Sequence, residues 1–280
     1  MTADDPAQEL VVEPEPTPAE APFTLAETTT VYQTALTKFG ELETKASTRQ
    51  DATSAKDFHA FAELLRSRFK PAEVSAPDAE GMASVLTDNP IGAYNFVVFN
   101  PHLMLYNIFG MWTAGDAGVP VVLIDGTLDN EWLTVAVIAH ELAHAKRALP
   151  YMQKHGDPDN ESRRERFGRA AAREALDTVS DGQYSKLIAS TAASVATPTD
   201  KNGFTAVYVD PALFDLFSVH HERARAWFYQ QALFDLNVDL DRKSAKGKTL
   251  EERLDRLNDR FLSAQEDPEK ALQISWGADE

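Results

Sequence analysis

Two stretches near the start of the chain carry hydrophobic side chains every three or four residues, which predicts two amphipathic helices. They span residues 28–48 and 54–70, and their apolar stripes are Val31, Ala35, Phe39 and Leu42, then Phe58, Phe61, Leu64, Leu65 and Phe69. Pro71 is expected to end the second helix, because proline lacks the amide hydrogen that the helix needs. Residues 1–27 show no such period and are rich in acidic residues, proline and alanine, so we expect a disordered tail there.

The pattern changes after residue 92. AYNFVVFN (93–100) and VPVVLID (119–125) are short runs of Val and aromatic residues bounded by Pro, Gly, Asn and Asp, which predicts β-strands. A helix is expected to follow the second strand, with Asp129 as its N-cap and Pro150 at its end. Its apolar segment VAVIA predicts that this helix is buried.

The remaining pattern is mostly helical. We expect a surface helix over residues 161–179, a long loop or insert of small and polar residues after it, a short strand in TAVYVD, and a long helix over 211–237 with Pro211 in its first position. Together these elements predict an α+β fold in which a small mixed sheet packs on the buried helix. The organisation that we expect is a tail (1–27), a single domain (28–240, with its core in 93–237), and a charged C-terminal helix and tail (241–280).

Composition narrows the classes of partner and site. The chain of 280 residues has a formal net charge of -17, which argues against nucleic acid or an anionic membrane as partner. It contains no cysteine, so a metal could be held only by His, Asp or Glu side chains. No apolar run is long enough to cross a bilayer and the start lacks a Sec-type signal, so we expect a soluble cytoplasmic protein, with export by a signal-independent route left open. The oligomeric state is not predicted.

The chemistry of the chain is concentrated in HELAH, residues 140–144. On a helix, positions i and i+4 lie one above the other, so His140 and His144 can direct their imidazoles to one metal ion. Glu141 lies about 100° further around the helix and is free to act as a general base. The alternative is that both histidines are structural and only form hydrogen bonds to their neighbours.

HELAH resembles the zinc-binding helix of the zincin metallopeptidases, whose pattern is His-Glu-x-x-His. The resemblance implies that His140 and His144 bind Zn²⁺ and that Glu141 is the general base acting on zinc-bound water. The metzincin branch is excluded, because it would need Gly at position 147 and His at position 150, where this chain has Arg147 and Pro150. The remaining pattern resembles that of the gluzincins, and it is also similar to domains of bacteria and their phages that are assigned as metallopeptidases.

In gluzincins a glutamate from a later helix supplies the third ligand, within a Glu-x-x-Ala/Ser-Asp signature of which this chain has no clean copy. Glu222 is our first candidate, because it falls on an otherwise apolar stripe of the predicted 211–237 helix, where a carboxylate should be paired or metal-bound. A salt bridge to Arg225 or another partner is the alternative. His221 is the next candidate and His220 another, while Glu165 and Glu174 lie in a strongly charged stretch that is typical of a solvated helix face.

Two functions remain open from the sequence. The first is a zinc-dependent hydrolase, a metallopeptidase that acts on a peptide or protein substrate. In that case His220, His221 or Tyr229 could stabilise the developing oxyanion, although packing is an alternative role for each. The second is a non-catalytic interaction or effector protein on a zincin scaffold, which the acidic tail and charged C-terminal helix would suit.

Overall fold

The structure, a computed structural model, describes residues 22–76, 83–101, 108–114, 119–148, 150, 154, 161–196 and 211–243. Its helices are α1 (Leu25–Thr48), α2 (Ala52–Arg68), α3 (Glu131–Ala143), α4 (Glu161–Val179), α5 (Gln183–Ala196), α6 (Pro211–Leu216) and α7 (Glu222–Lys243). A π-helical turn, His144–Ala148, continues α3. The strands are β1 (Phe69–Val74), β2 (Val85–Leu86), β3 (Tyr94–Phe99), β4 (Gly110–Ala114) and β5 (Pro120–Asp125).

The described strands form one mixed sheet in the order β2-β1-β3-β5-β4. The three inner strands are parallel, and β2 and β4 pair antiparallel at the two edges. Phe96 and Val98 of β3 join a core with the helices on one face, whereas Val97 and Phe99 join a second apolar cluster on the other. Since both faces of β3 are buried, its near-continuous apolar sequence is explained. The small mixed sheet and the abundant helix confirm the α+β class.

The predicted helices over 28–48 and 161–179 and the two predicted strands are confirmed, but three other predictions are wrong. The second helix ends at Arg68 and passes directly into β1, which contains Pro71. The polar loop expected after residue 179 is helix α5, which buries Tyr184, Ile188 and Thr191 along one face. Burial of that face outweighs the weak helix preference of its many small polar residues.

The long helix predicted over 211–237 is also wrong, because it is interrupted between α6 and α7. Ser218 adopts a left-handed conformation with φ of 49° at the break. Its hydroxyl accepts a hydrogen bond from Nδ2 of Asn130 at 3.1 Å, which ties the break to the start of α3. The tail up to residue 21, the strand predicted in 205–210 and the C-terminal helix lie outside the described residues.

Candidate metal centre

Helix α3 is positioned by the strand before it and by its own first turn. Asn130, rather than Asp129 as expected, is the N-cap, and its Oδ1 accepts from the backbone N–H groups of Trp132 and Leu133, each at 3.0 Å. Asp129 has a φ of 51° and turns the chain into the helix. From Val135 onwards the helix is buried on all sides, so its last turn presents polar groups to the protein interior.

His140, Glu141 and His144 form a buried cluster in that last turn. Each side chain offers one ligand atom, and these atoms lie within 4.8 Å of one another, so the group could hold a metal ion. The two imidazole rings are 5.0 Å apart between centroids, as the i, i+4 spacing predicts. The helix changes to π geometry at His144, and π turns of this kind occur often at functional sites.

A second carboxylate approaches both imidazoles from α4. Oε1 of Glu165 lies 3.4 Å from Nε2 of His140 and 3.7 Å from Nε2 of His144. Glu141, by comparison, has one oxygen 3.8 Å from Nε2 of His144. Glu165 is therefore the carboxylate that faces the two rings together, and Glu141 stands to one side.

Gly168 allows α4 to come this close. A Cβ atom at position 168 would lie 2.5 Å from both Cδ2 and Nε2 of His140, nearer than non-bonded atoms can approach. A residue with a side chain would therefore displace either the imidazole or the helix. Gly168 lies one turn after Glu165, so both residues are on the same face of α4. Glu165 places its carboxylate beside His140, and Gly168 leaves space for the His140 ring.

Glu141 lies against the edge strand β4. A Cβ atom at Gly110 would come within 2.7 Å of its Oε1, so the backbone of β4 passes directly beside the carboxylate. Burial, with a smaller contribution from the negative charge of Glu165, raises the pKa of Glu141 to about 7. Charge on His140 and Arg169 and a backbone hydrogen bond from Trp112 oppose the increase. A carboxylate with such a pKa can both accept and release a proton near neutral pH.

The pKa values of His144 and Glu165 are shifted in directions that suit metal ligands. Burial, followed by repulsion from His140, lowers the pKa of His144 to about 3, so its imidazole is neutral and can donate a lone pair. Burial works against ionisation of Glu165, but His140, Arg169 and His144 together hold the pKa of this carboxyl far below its usual value. The cluster therefore contains a neutral imidazole beside an ionised carboxylate.

Hydrogen bonding accounts for the burial of His140 but not for that of His144. Nε2 of His140 is within hydrogen-bond distance of Oε1 of Glu165, whereas Nδ1 of His144 is buried and has no hydrogen-bond partner among the described residues. Burial of an imidazole nitrogen without a partner is costly. The purely structural interpretation therefore does not explain His144.

The residues proposed from sequence near position 222 lie elsewhere. His221 and Glu222 are exposed, and Nε2 of His221 is 3.1 Å from a carboxylate oxygen of Asp129. Asp129 precedes α3 and is eleven residues before His140, a rise of roughly 16 Å along a helix. The break at Ser218 makes Glu222 the first residue of α7, where its negative charge is favourable at the positive end of the helix dipole.

The remaining candidates are not gathered at the cluster either. His220 is exposed with its ring 6.0 Å from that of Phe214, and Tyr229 is half-buried against the main core. Glu174 accepts a hydrogen bond from Arg147 at 2.8 Å and so forms an ion pair. None of these contacts reaches His140 or His144.

The sequence did contain a signal for Glu165. Glu165, Gly168 and Arg169 stand at the three signature positions of Glu-x-x-Ala/Ser-Asp, with glycine in place of the small residue and arginine in place of the aspartate. The small residue is explained by the contact between Gly168 and His140. The arginine, together with the surrounding charges, concealed the match.

Comparison with known proteins gives no assignment, because no protein-family model, no curated protein and no solved structure matches the chain. Among the described helices, none is both long and apolar enough to cross a membrane. The function of the protein must therefore be inferred from the His140, Glu141 and His144 cluster and its surroundings.

Proposed function

We propose that the protein is a gluzincin-like zinc metallopeptidase in which His140, His144 and Glu165 hold Zn²⁺. The observation that carries this proposal is the position of Oε1 of Glu165, 3.4 and 3.7 Å from the two Nε2 atoms. Donors about 2.0–2.1 Å from a tetrahedral zinc ion lie roughly 3.3–3.4 Å from one another, and the two distances from Oε1 of Glu165 are close to that spacing. Two imidazoles and one carboxylate are a ligand set typical of zinc hydrolases.

Glu222 was the first candidate for the third ligand, and Glu165 takes that role in this proposal. Glu141 is left as the general base, because it lies within ion-pair distance of only one of the two imidazoles and its raised pKa suits proton transfer. Zinc, when bound, supplies a Lewis acid that lowers the pKa of water towards about 7 and polarises a carbonyl oxygen. Glu141 accepts the proton of the attacking water at a carboxylate oxygen and returns it to the leaving amine.

The sheet supports a peptide as the substrate. Within the described part of the chain, β4 is an edge strand, and such a strand offers backbone groups to which an extended peptide can pair. Gly110 of β4 contacts Glu141, so a peptide along this edge would pass next to the general base. The position of β4 therefore favours amide hydrolysis over reactions of small ligands.

The test is zinc content and peptide hydrolysis in untagged protein, with four chains compared. We expect about one zinc per wild-type chain and hydrolysis of at least some members of a broad peptide panel. Glu141→Gln should retain zinc and lose activity by roughly 100-fold or more. Glu165→Gln should lose zinc, whereas Glu222→Gln, a matched change in an exposed glutamate, should keep both zinc and activity. A wild-type chain that binds no zinc, or an active Glu141→Gln variant, would overturn the proposal.

A further inference from the structure

The two oxygens of Glu165 have different partners. Oε1 faces the imidazoles of His140 and His144, and Oε2 lies 3.4 Å from Nε of Arg169, one helical turn further along α4. The carboxylate of a glutamate is at the end of a flexible side chain. It can rotate away from a ligand position unless something holds its second oxygen. Arg169 is placed to do this.

Arg169 is itself held by a glutamine of α7. Its Nη1 donates to Oε1 of Gln231 at 3.4 Å, and Nε2 of Gln231 donates back to the backbone carbonyl of Arg169 at 3.0 Å. Gln231 is fully buried. Because the amide donates from one end and accepts at the other, it fits this site in one orientation only.

The orientation of Gln231 is fixed in turn by Asp235. Nε2 of Gln231 donates to Oδ2 of Asp235 at 2.9 Å, and the hydroxyl of Tyr184 donates to the same oxygen at 2.7 Å. Arg173 lies 3.7 Å from the other oxygen. A buried network whose members are all partnered is rigid, since any rotation would leave a polar atom unsatisfied.

Arg169 also marks where the chain departs from the gluzincin signature, which has an acidic residue at this position. The guanidinium reverses that charge beside the proposed ligand. Its delocalised, planar group can contact the Glu165 carboxylate through Nε and Gln231 through Nη1 at the same time, which a lysine ammonium could not do in this geometry.

We propose that Arg169 and Gln231 are positioning residues for the metal site. Gln231 fixes the Arg169 guanidinium, and Arg169 fixes Glu165 with Oε1 directed at the two imidazoles. Neither side chain touches the metal. The inference rests on the proposed function, in which Glu165 is a zinc ligand, and it adds α7 to the elements that determine zinc affinity.

The experiment measures the dissociation constant for zinc by competition with a chromogenic chelator, in the full chain. We expect Arg169→Met to weaken zinc binding about 10- to 100-fold, the range found for changes to groups that orient metal ligands. Gln231→Met should have a smaller effect in the same direction. Arg169→Lys should bind zinc with an affinity between those of wild type and Arg169→Met, because lysine retains the positive charge but not the planar guanidinium. The matched control is Arg166→Met, at an exposed arginine of α4 outside this network.

A second measurement separates positioning from general loss of structure. With cobalt(II) in place of zinc, the visible absorption spectrum reports the ligand geometry, and we expect it to change in Arg169→Met and Gln231→Met but not in Arg166→Met. Circular dichroism and urea unfolding identify a variant that fails to fold. If Arg169→Met does so, the folded Arg169→Lys and Gln231→Met chains carry the test.

The outcomes distinguish this inference from the proposed function. Wild-type protein without zinc affinity, or unchanged affinity in Glu165→Gln, contradicts the assignment of the site itself. If zinc affinity depends on Glu165 but is unchanged in Arg169→Met, only the positioning role is overturned. The same conclusion follows if Arg166→Met weakens zinc binding as much as Arg169→Met does. Weaker binding confined to the Arg169 and Gln231 variants supports it.

Discussion

Helix α4 contributes a residue to each of two polar clusters, and these clusters differ in how completely their hydrogen bonds are formed. Around Asp235, donors from Tyr184 and Gln231 and the charge of Arg173 all meet one carboxylate, and Arg173 also bonds to both oxygens of Asp239. Around His144, two imidazoles and two carboxylates converge, and Nδ1 of the ring has no partner among the described residues. The first cluster is complete without a ligand, whereas the second is assembled from groups that share the ability to bind a cation.

Perturbed acidity would not have separated the two clusters. Burial raises the pKa of Glu141 to about 7 and that of Asp235 to about 6, so each cluster contains a carboxylate that holds its proton unusually well. The distinction lies in the partners. Removal of a side chain should therefore lower metal affinity in the cluster around Glu141 and His144, and should lower the stability of the fold in the cluster around Asp235.

The largest effect should follow His144→Leu. Loss of one imidazole should weaken zinc binding at least roughly 1,000-fold, about 4 kcal/mol of binding free energy. The metal-free variant should unfold with a free energy within about 1 kcal/mol of wild type, because the change removes a buried polar atom that lacked a partner. Calorimetric zinc titration and urea unfolding in chelator measure the two quantities. Retained zinc affinity would contradict the comparison.

The next effect concerns pH and the Asp235 cluster. Asp235 has a pKa of about 6 against a usual value of 3.8, despite the opposing charges of Arg173 and Arg169 and the hydrogen bonds from Gln231 and Tyr184. A raised pKa in the folded state means that its stabilising contribution is complete below about pH 4 and is lost as the pH rises through about 6.

Asp235→Asn removes this titration. The free energy of unfolding of the metal-free wild type should therefore fall, relative to that of the variant, by roughly 3 kcal/mol between pH 4 and pH 7. Urea unfolding of both chains at intervals of one pH unit measures the difference. A difference that stays constant over this range would show that the carboxyl is not held protonated by burial.

Gly168→Ala should reduce zinc affinity about 10- to 100-fold, in the range of changes that misplace a ligand, because the new methyl group overlaps the His140 ring. Gly40→Ala is the matched control, since Gly40 is an exposed helical glycine and a Cβ atom there meets nothing within 4 Å. The control should stabilise the chain by roughly 0.5–1 kcal/mol and leave zinc binding unchanged. Equal zinc affinity in the two variants would argue against close packing of α4 on His140.

The smallest effect should follow Tyr184→Phe. It removes one hydrogen bond to Asp235 but keeps the ring, which packs edge-on against Phe228. The free energy of unfolding should fall by about 1–2 kcal/mol at pH 7, while zinc affinity changes less than the Arg169 variants change it. Tyr229→Phe, at a half-buried tyrosine outside the network, is the control and should be nearly neutral. If Tyr184→Phe lowered zinc affinity as much as Arg169→Met does, the two clusters would not be functionally separate.

The sequence was sufficient wherever a local pattern and tertiary burial agree. The spacing of His140 and His144 places both imidazoles on one helical face, and α3 brings them together as expected. The helix over 161–179 was predicted to its residue limits, because its apolar positions are separated by charged ones that mark the opposite face.

The predictions from sequence were wrong where the same pattern of apolar residues is compatible with two different structures. Phe69 continues the apolar stripe of α2 four residues after Leu65, so nothing local distinguishes it from the first residue of β1, and it is buried in both cases. Glu222 was expected in the middle of one helix over 211–237. The left-handed Ser218, stabilised by a contact to Asn130 that is remote in sequence, breaks that helix and leaves Glu222 exposed as the first residue of α7.

Arg147 ties the π-helical turn to two other helices, and this has a consequence for how the chain can be divided. Its Nη2 contacts Asp57 of α2 at 2.5 Å and Glu174 of α4 at 2.8 Å, and the first of these contacts joins residues 90 positions apart. A fragment that begins after Arg68 would keep every proposed zinc ligand yet lose one of the two anchors beside His144. The unit that supports the proposed zinc site therefore extends back to the second helix, and shortened versions of the chain should include it.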